Sequence, residues 1–419
     1  MIERIPLIKN GENYLLTDAA GNVKVRLIQV VGEGGTYLVY KAVEEVDGVA
    51  QNVCIIKEAY PGTDEETFSL FQYTREQPGQ ELKLVFQSPY LKNLSEEQKR
   101  LVYQEELQKQ EENAMREVQT AKELFYNQEK QENSPYLYRT EYFTRLGDTY
   151  YLKLDTSEGR TLHSYIKENE NGCLSLSESL EMMKKLLEIL AQLFDGAYIH
   201  GDIKPQNVWL CGQGAAMSMV LLDMGSCFPL QEYCCTDFEA WSEEEVIQKA
   251  DFIVKNRGIG CSTKGYCNMQ MSQFFDAKAS YYGARELAAL NPVKSNQKNK
   301  YRAAVRLLEA MNHLNIGADL YSAVETMFYC VTGRNYNGES ETDLEPILQE
   351  PRAVCEYFSN ILKKNQKEGY ASIELLKRDL KKLERMMNRE ADPDILLDAI
   401  RNSLPDIHNI DPSLFGKIK

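Results

Sequence analysis

Residues 24 to 60 alternate apolar and polar side chains in three runs, the period of strands with one buried face: Lys24 to Val31, Tyr37 to Val46 and Asn52 to Ala59. Gly48, beside Asp47, marks a hairpin turn between the last two. The period is then lost, and Pro61 to Lys92 reads as an inserted loop. From Ser95 to about Glu132 helix formers dominate; Ser95 three residues before Gln98 has the layout of a capping box, and Ala114, Val118, Ala121 and Phe125 share one face. Two further strands, Tyr136 to Arg145 and Thr149 to Leu154, turn at Gly147-Asp148 and lead into a polar, glycine-bearing stretch from Asp155 to Leu162. Leu176 to Leu193 has helical periodicity, Met219 to Leu222 is an apolar strand, and Asp319 opens an apolar helix that closes at Val331-Thr332-Gly333-Arg334.

Two places break this pattern with chemistry. The strand Val53-Cys54-Ile55-Ile56-Lys57-Glu58 buries a lysine among apolar neighbours, which is costly unless Lys57 meets negative partners such as phosphate oxygens or a helix carboxylate. Glu117 is the candidate carboxylate, with Glu112 as the fallback. The stretch Tyr198-Ile-His-Gly-Asp-Ile-Lys-Pro-Gln-Asn-Val-Trp-Leu210 sets Asp202, Lys204 and Asn207 on one short loop between an apolar helix and an apolar strand. A base, a cation and a neutral oxygen ligand at offsets of two and five suit transfer of a phosphoryl group from a metal-bound nucleotide to a hydroxyl. Asp223, ending a strand sixteen residues after Asn207 and followed by Met224-Gly225, is a second candidate metal ligand. The glycine cluster Gly32, Gly34 and Gly35 in the first hairpin lets backbone amides approach phosphates.

Composition narrows the partners. The chain has 419 residues, 43% apolar, and its 48 Lys and Arg against 63 Asp and Glu leave a net charge of −15. That balance argues against nucleic acid or anionic lipid as the main partner. No run of 18 apolar residues exists, and the start lacks the layout of a secretory signal, so the expected location is cytoplasmic. Ten scattered cysteines, among them Cys54, Cys211 and Cys330, fit a reducing compartment; Cys234, Cys235, Cys261 and Cys267 lack the spacing of a zinc set.

These segments resemble, in order, the landmarks of a bacterial-type (Hanks-type, eukaryotic-like) serine/threonine protein kinase domain. Gly32 to Val39 is similar to G-x-G-x-x-G-x-V with Tyr37 at the third glycine, and Val53 to Lys57 to the V-A-I-K strand. His200 to Asn207 is similar to H-R-D-x-K-x-x-N with Gly201 for the Arg, and Asp223-Met224-Gly225 to D-F-G. Asp319-Leu-Tyr-Ser322 resembles the segment whose Asp braces the catalytic loop. The resemblance covers roughly residues 24 to 385 and implies an α+β, two-lobed, protein-kinase-like fold: a β-rich N-lobe with one long helix over 1–155, a larger helical C-lobe over 156–389, an extended activation segment at 223–290, and a C-terminal extension at 390–419.

It also implies roles. Asp202 positions the acceptor hydroxyl and takes its proton, Lys204 steadies the γ-phosphate, and Lys57 with Glu117 grips the α- and β-phosphates; Asn207 and Asp223 bind Mg2+. Val39 covers adenine, Leu154 gates the pocket behind the nucleotide, and the hinge from Asp155 through Ser157 presents backbone groups to ATP. The implied partner is a protein with Ser or Thr hydroxyls. Two alternatives stay open, a pseudokinase scaffold and a kinase of small hydroxyl compounds. Gly201 removes the Arg that receives an activation-loop phosphate, so activity is expected without it, and Ala at loop Ser or Thr leaves the rate nearly unchanged. The A-P-E element is either Ser262 to Gln270, which puts Thr263 between Asp202 and Lys204, or Tyr282 to Leu287; with the first, Gln270 and Gly369-Tyr370 replace the family's Glu–Arg pair.

Overall fold

A computed structural model describes residues 4–9, 11–33, 37–60, 71–86, 94–127, 132–212, 217–235, 237–255, 263, 265–291, 293–335 and 349–388. In chain order the N-terminal part holds β1 (Tyr14–Thr17), β2 (Lys24–Glu33), β3 (Tyr37–Val46), β4 (Val49–Ala59), β5 (Phe71–Thr74), β6 (Lys83–Phe86), α1 (Glu96–Phe125), β7 (Tyr126–Asn127), β8 (Glu132–Asn133), β9 (Thr140–Leu146) and β10 (Thr149–Asp155). Six of these strands form one antiparallel sheet in the order β1-β2-β3-β4-β10-β9. β1 is an element the alternation did not announce, being only four residues long.

The period of two gives the sheet two working faces. One face packs Leu27, Leu38, Tyr40, Cys54, Ile56 and Tyr151 against Leu7 and against Tyr73, Leu82 and Leu84. Those last three belong to a region expected to be an inserted loop; the structure instead pairs β5 with β6 as a hairpin over the sheet. The hairpin lacked a readable period because its strands are only four residues each. The other face packs Tyr37, Ala59, Tyr150 and Leu152 against Ala114 and Val118 of α1.

Helix α1 starts where the capping box sits, with Ser95 and Gln98 bonded reciprocally. It ends at Phe125 rather than near Glu132, because Tyr126 turns extended and pairs with Asn133.

Past the β10 end come β11 (Gly159–Thr161), α2 (Leu162–Glu168), α3 (Leu176–Asp195), β12 (Tyr198–Ile199), β13 (Val208–Cys211), β14 (Ser218–Leu221), β15 (Phe228–Pro229) and α4 (Leu230–Tyr233). They are followed by α5 (Glu243–Lys255), α6 (Met269–Leu290), α7 (Lys294–His313), α8 (Gly317–Thr332), α9 (Arg352–Lys367) and α10 (Ile373–Met387). Every residue of α8 is buried, and it packs with α3, α9 and α10 in the main core. A second core forms where α5, α6 and α7 close over Ile199 and Phe228.

Tyr282 to Leu287 lies in the middle of α6, so the second A-P-E candidate is a continuous helix with no loop character. The expected tail, 390–419, lies outside the described residues, as do Gly34, Gly35, most of the insertion flanks and Ser262. A β-rich N-lobe with one long helix over a larger helical C-lobe is the protein-kinase-like fold that the resemblance implies.

Candidate active site

Lys57 lies on β4 between Ile56 and Glu58, and the alternation that buries Ile55 and Ala59 turns its side chain toward α1. Its Nζ lies 2.5 Å from Glu117 Oε1 and 2.8 Å from Asp223 Oδ1. Burial opposes the charge on Lys57, but Asp223 and Glu117 outweigh it and hold its pKa above the ordinary lysine value. Burial likewise opposes ionisation of Asp223, yet Lys57 and, more weakly, Lys204 and His200 bring that carboxyl down to about 2. Glu117 moves upward, because its burial outweighs the Lys57 cation and Asp223 adds to the rise. Glu112, the fallback, is exposed and accepts only from Gln108.

Tyr37 stands where the glycine-rich pattern has its third glycine. It turns inward, is 7% exposed, and donates its hydroxyl to Glu117 Oε2 at 2.6 Å. The Lys57 ammonium sits 4.1 Å from the Tyr37 ring centroid, within cation–π range. Burial, reinforced by the Glu117 carboxylate, lifts the Tyr37 hydroxyl well above the usual tyrosine range, so it remains a donor. The sequence signal was there, in a bulky residue standing where a hairpin prefers glycine, but its target was eighty residues away.

The catalytic-loop candidates converge as well. Lys204 Nζ is 2.6 Å from Asp202 Oδ2 and 2.7 Å from Thr263 Oγ1, and Thr263 donates its hydroxyl to Asp202 Oδ1 at 2.8 Å and its backbone N–H at 3.1 Å. Thr263 therefore stands where the first A-P-E alignment placed it. Asn207 commits its amide nitrogen to Asp202, at 2.8 Å to the backbone oxygen and 3.0 Å to Oδ2. Its Oδ1 has no hydrogen-bond partner among the described residues.

From below, Asp319 is fully buried and accepts from the backbone amides of His200 at 2.7 Å and Gly201 at 2.9 Å. His200 Nε2 meets the Leu222 carbonyl at 3.0 Å, and Leu222 donates its N–H to Asn207 at 2.8 Å, so the Asp202 loop and the Asp223 turn are tied together.

Two glycines are required by geometry. Gly201 has φ +79°, which a side chain resists, so the missing Arg reflects the backbone shape as well as lost chemistry. A Cβ on Gly225 would stand 3.1 Å from Glu117 Oε2 and 3.3 Å from Asp223 Oδ1, so a side chain here would push on both carboxylates. Asp223 itself is left-handed, at φ 64°.

Between the lobes, Val31, Val39, Ile55 and Leu154 meet Trp209, Val220 and Leu222 in one apolar cluster. Trp209 was missed by sequence reasoning, since a tryptophan on a short apolar strand looks like ordinary core. Gly32 pairs with Val39 across the first hairpin, and Val39 pairs with Lys57 across the next. In the hinge, Asp155 turns its carboxylate outward onto Lys153 at 2.7 Å, and its N–H is taken by the Arg139 carbonyl at 3.0 Å. The Ser157 carbonyl accepts from Thr156 Oγ1 at 3.0 Å and faces Trp209 Nε1 at 3.4 Å.

A lysine held between two acids, and a loop acid flanked by a lysine and an asparagine, lie across a junction of two lobes. The protein kinase domain family model matches residues 91–246, a span that holds Glu117, the Asp202 loop and Asp223. Serine/threonine-protein kinase VRK1 of Caenorhabditis elegans is 30% identical over 91 residues, 22% of this chain and 15% of that protein's length. Among solved structures, a double mutant of the Mycobacterium tuberculosis PknI kinase domain is 13% identical with a TM-score of 0.44, covering 88% of this chain and 98% of that one. The PknI kinase domain itself gives 12% identity, a TM-score of 0.41 and the same coverage. The family match stops within α5.

Proposed function

We propose that this chain is a serine/threonine protein kinase that transfers the γ-phosphate of ATP to a protein hydroxyl. The observation that carries the reading is the pairing of Lys57 with both Glu117 and Asp223, because it aligns a buried cation with a turn that faces the Asp202 loop. In this reading Lys57, steadied by Glu117, holds the α- and β-phosphates, and the glycines Gly32, Gly34 and Gly35 fold over them. Val39, Leu154 and Trp209 form apolar walls for adenine, and backbone groups from Asp155 to Ser157 orient its edge.

The donor set also suits a hard cation. Lys57 and Lys204 are outnumbered by Glu117, Asp202 and Asp223, and the unpartnered Asn207 Oδ1 is a neutral oxygen of the kind magnesium takes. Asn207 and Asp223 are the residues that would hold Mg2+, which supplies neutralisation of phosphate charge. Asp202 orients the acceptor hydroxyl and accepts its proton, while Lys204 stabilises charge on the transferred group. Thr263 fixes both, and its link to Asp202 and Lys204 fits a Ser/Thr acceptor.

The test is transfer of labelled phosphate from magnesium ATP to a generic protein substrate, run beside Asp202→Asn. Transfer by the wild type and its collapse in the variant support the reading. ATP binding without transfer in either protein points to a nucleotide-binding scaffold, and labelling of small hydroxyl compounds alone points to the other alternative.

A further inference from the structure

Helices α6 and α7 form a hairpin inserted between two parts of the active site. At one root, Met271 Cε comes within 3.9 Å of the Cβ position of Gly201, and Thr263 just upstream bonds Asp202. At the other root, α7 runs through Leu314 into α8, whose Asp319 holds the same loop. Helix α7 buries Ala303, Ala304, Leu307, Leu308 and Met311 against α5 and α6. Its opposite face exposes Lys294, Lys298, Arg302 and Arg306, spaced by four residues and so stacked along one stripe.

The fifth cation, Lys300, points inward to Asp251 at 3.4 Å. None of the other four has an ion-pair or hydrogen-bond partner among the described residues. Like charges at this spacing repel one another along the helix. The stripe, bounded by the exposed Glu309, stands out on a chain whose net charge is −15.

We infer that this stripe docks an acidic, extended segment of the protein substrate, and the inference rests on the kinase reading above. From Lys294 to Arg306 the helix rises about 18 Å, at 1.5 Å per residue. An extended peptide covers that distance in about five or six residues. A short run of Asp and Glu feels the local positive field within a Debye length of about 8 Å, whereas a long polyanion or an anionic membrane also meets the molecule's negative surface. An acidic peptide is therefore the occupant that charge complementarity favours.

The experiment compares two peptides of equal length that carry one Ser acceptor and either a run of Asp and Glu or a run of Asn and Gly, joined by linkers of graded length. The wild type is expected to show a KM about tenfold lower for the acidic peptide, with the gap narrowing as salt rises. Lys298→Glu with Arg302→Glu should erase the preference and leave kcat and the rate on the neutral peptide unchanged, which also reports that the variant is folded. Lys298→Ala with Arg302→Ala should show an intermediate loss. An unchanged KM ratio in both double variants overturns the inference, as does a preference of the wild type for duplex DNA or anionic vesicles that these variants abolish. Should no peptide be phosphorylated by the wild type, the kinase reading fails, and fluorescence anisotropy of the labelled peptides still decides whether the stripe binds acid.

Discussion

Lys57 and Glu58 are neighbours on β4, and each buries a charge on an opposite face of the same sheet. Glu58, fully buried, receives the Arg75 guanidinium and the hydroxyls of Tyr40 at 2.6 Å and Tyr151 at 2.5 Å. Arg75 spends its remaining donors on the carbonyls of Ile5 at 2.9 Å and Gln80 at 2.8 Å. One anion meets one cation there, and the donors close around them. On the cleft side the count does not close: Lys57 faces Glu117 and Asp223 together. The charge on the outer face is balanced inside the fold; on the function proposed above, the surplus of acid on the cleft face is what a bound ligand would complete.

Breaking the balanced side should have the largest effect. Arg75→Met strands Glu58 in the core and should lower stability by about 3–5 kcal/mol, read by chemical denaturation, with the phosphorylation rate per folded molecule unchanged. Lys57→Met should do the reverse, cutting kcat by about 10²–10³-fold while nucleotide-free stability falls less than in the Arg75 variant. Equal stability losses in the two variants would erase the distinction.

A third buried acid sharpens it. Among the described residues Glu325 on α8 meets no cation; it accepts from Asn365 at 2.9 Å and Gln366 at 2.7 Å, and its Oε2 is buried without a partner there. Burial pushes its carboxyl up to about 7, against the downward pull of those two amides. The folded state thus holds a proton that the unfolded chain releases near pH 4.3. The stability this proton gives is fully present below that pH, declines as pH rises, and is lost above about 7. Glu325→Gln should match the wild type near pH 4.5 and exceed it by about 3 kcal/mol at pH 8, followed by thermal melts across that range. Parallel curves would sink the assignment.

The smallest effect belongs to the hydroxyl that seals the cleft side. Tyr37→Phe keeps the ring over Lys57 and removes the bond to Glu117, so kcat should drop by about tenfold, the equivalent of about 1.4 kcal/mol, with little change in melting temperature. Tyr37→Gly, which restores the glycine of the family pattern, should also raise the nucleotide KM.

What could be read from sequence was local. Asp202, Lys204 and Asn207 share one loop, the Ser95–Gln98 box spans one turn, and the strands announce themselves by alternation, so each was legible without knowing the fold. Thr263 could be placed because its neighbours kept enough of a known order. Arg75 was hidden, since its hairpin is too short to show a period and its partner lies across the sheet. Tyr37 was visible as an oddity, but its bond to Glu117 exists only once α1 has docked. The α6–α7 hairpin fell between landmarks, where periodicity gives helices but not what they lean on.

One bond described above adds to the packing that holds the first hairpin against the long helix. Tyr37 opens β3 and Glu117 belongs to the long helix behind it, so the strand and the helix are tied side chain to side chain. On the function proposed above, moving that strand to admit a nucleotide would draw on the helix at the same moment. The Lys57–Glu117 pair and the strand over the nucleotide would then, on that same function, move as one unit.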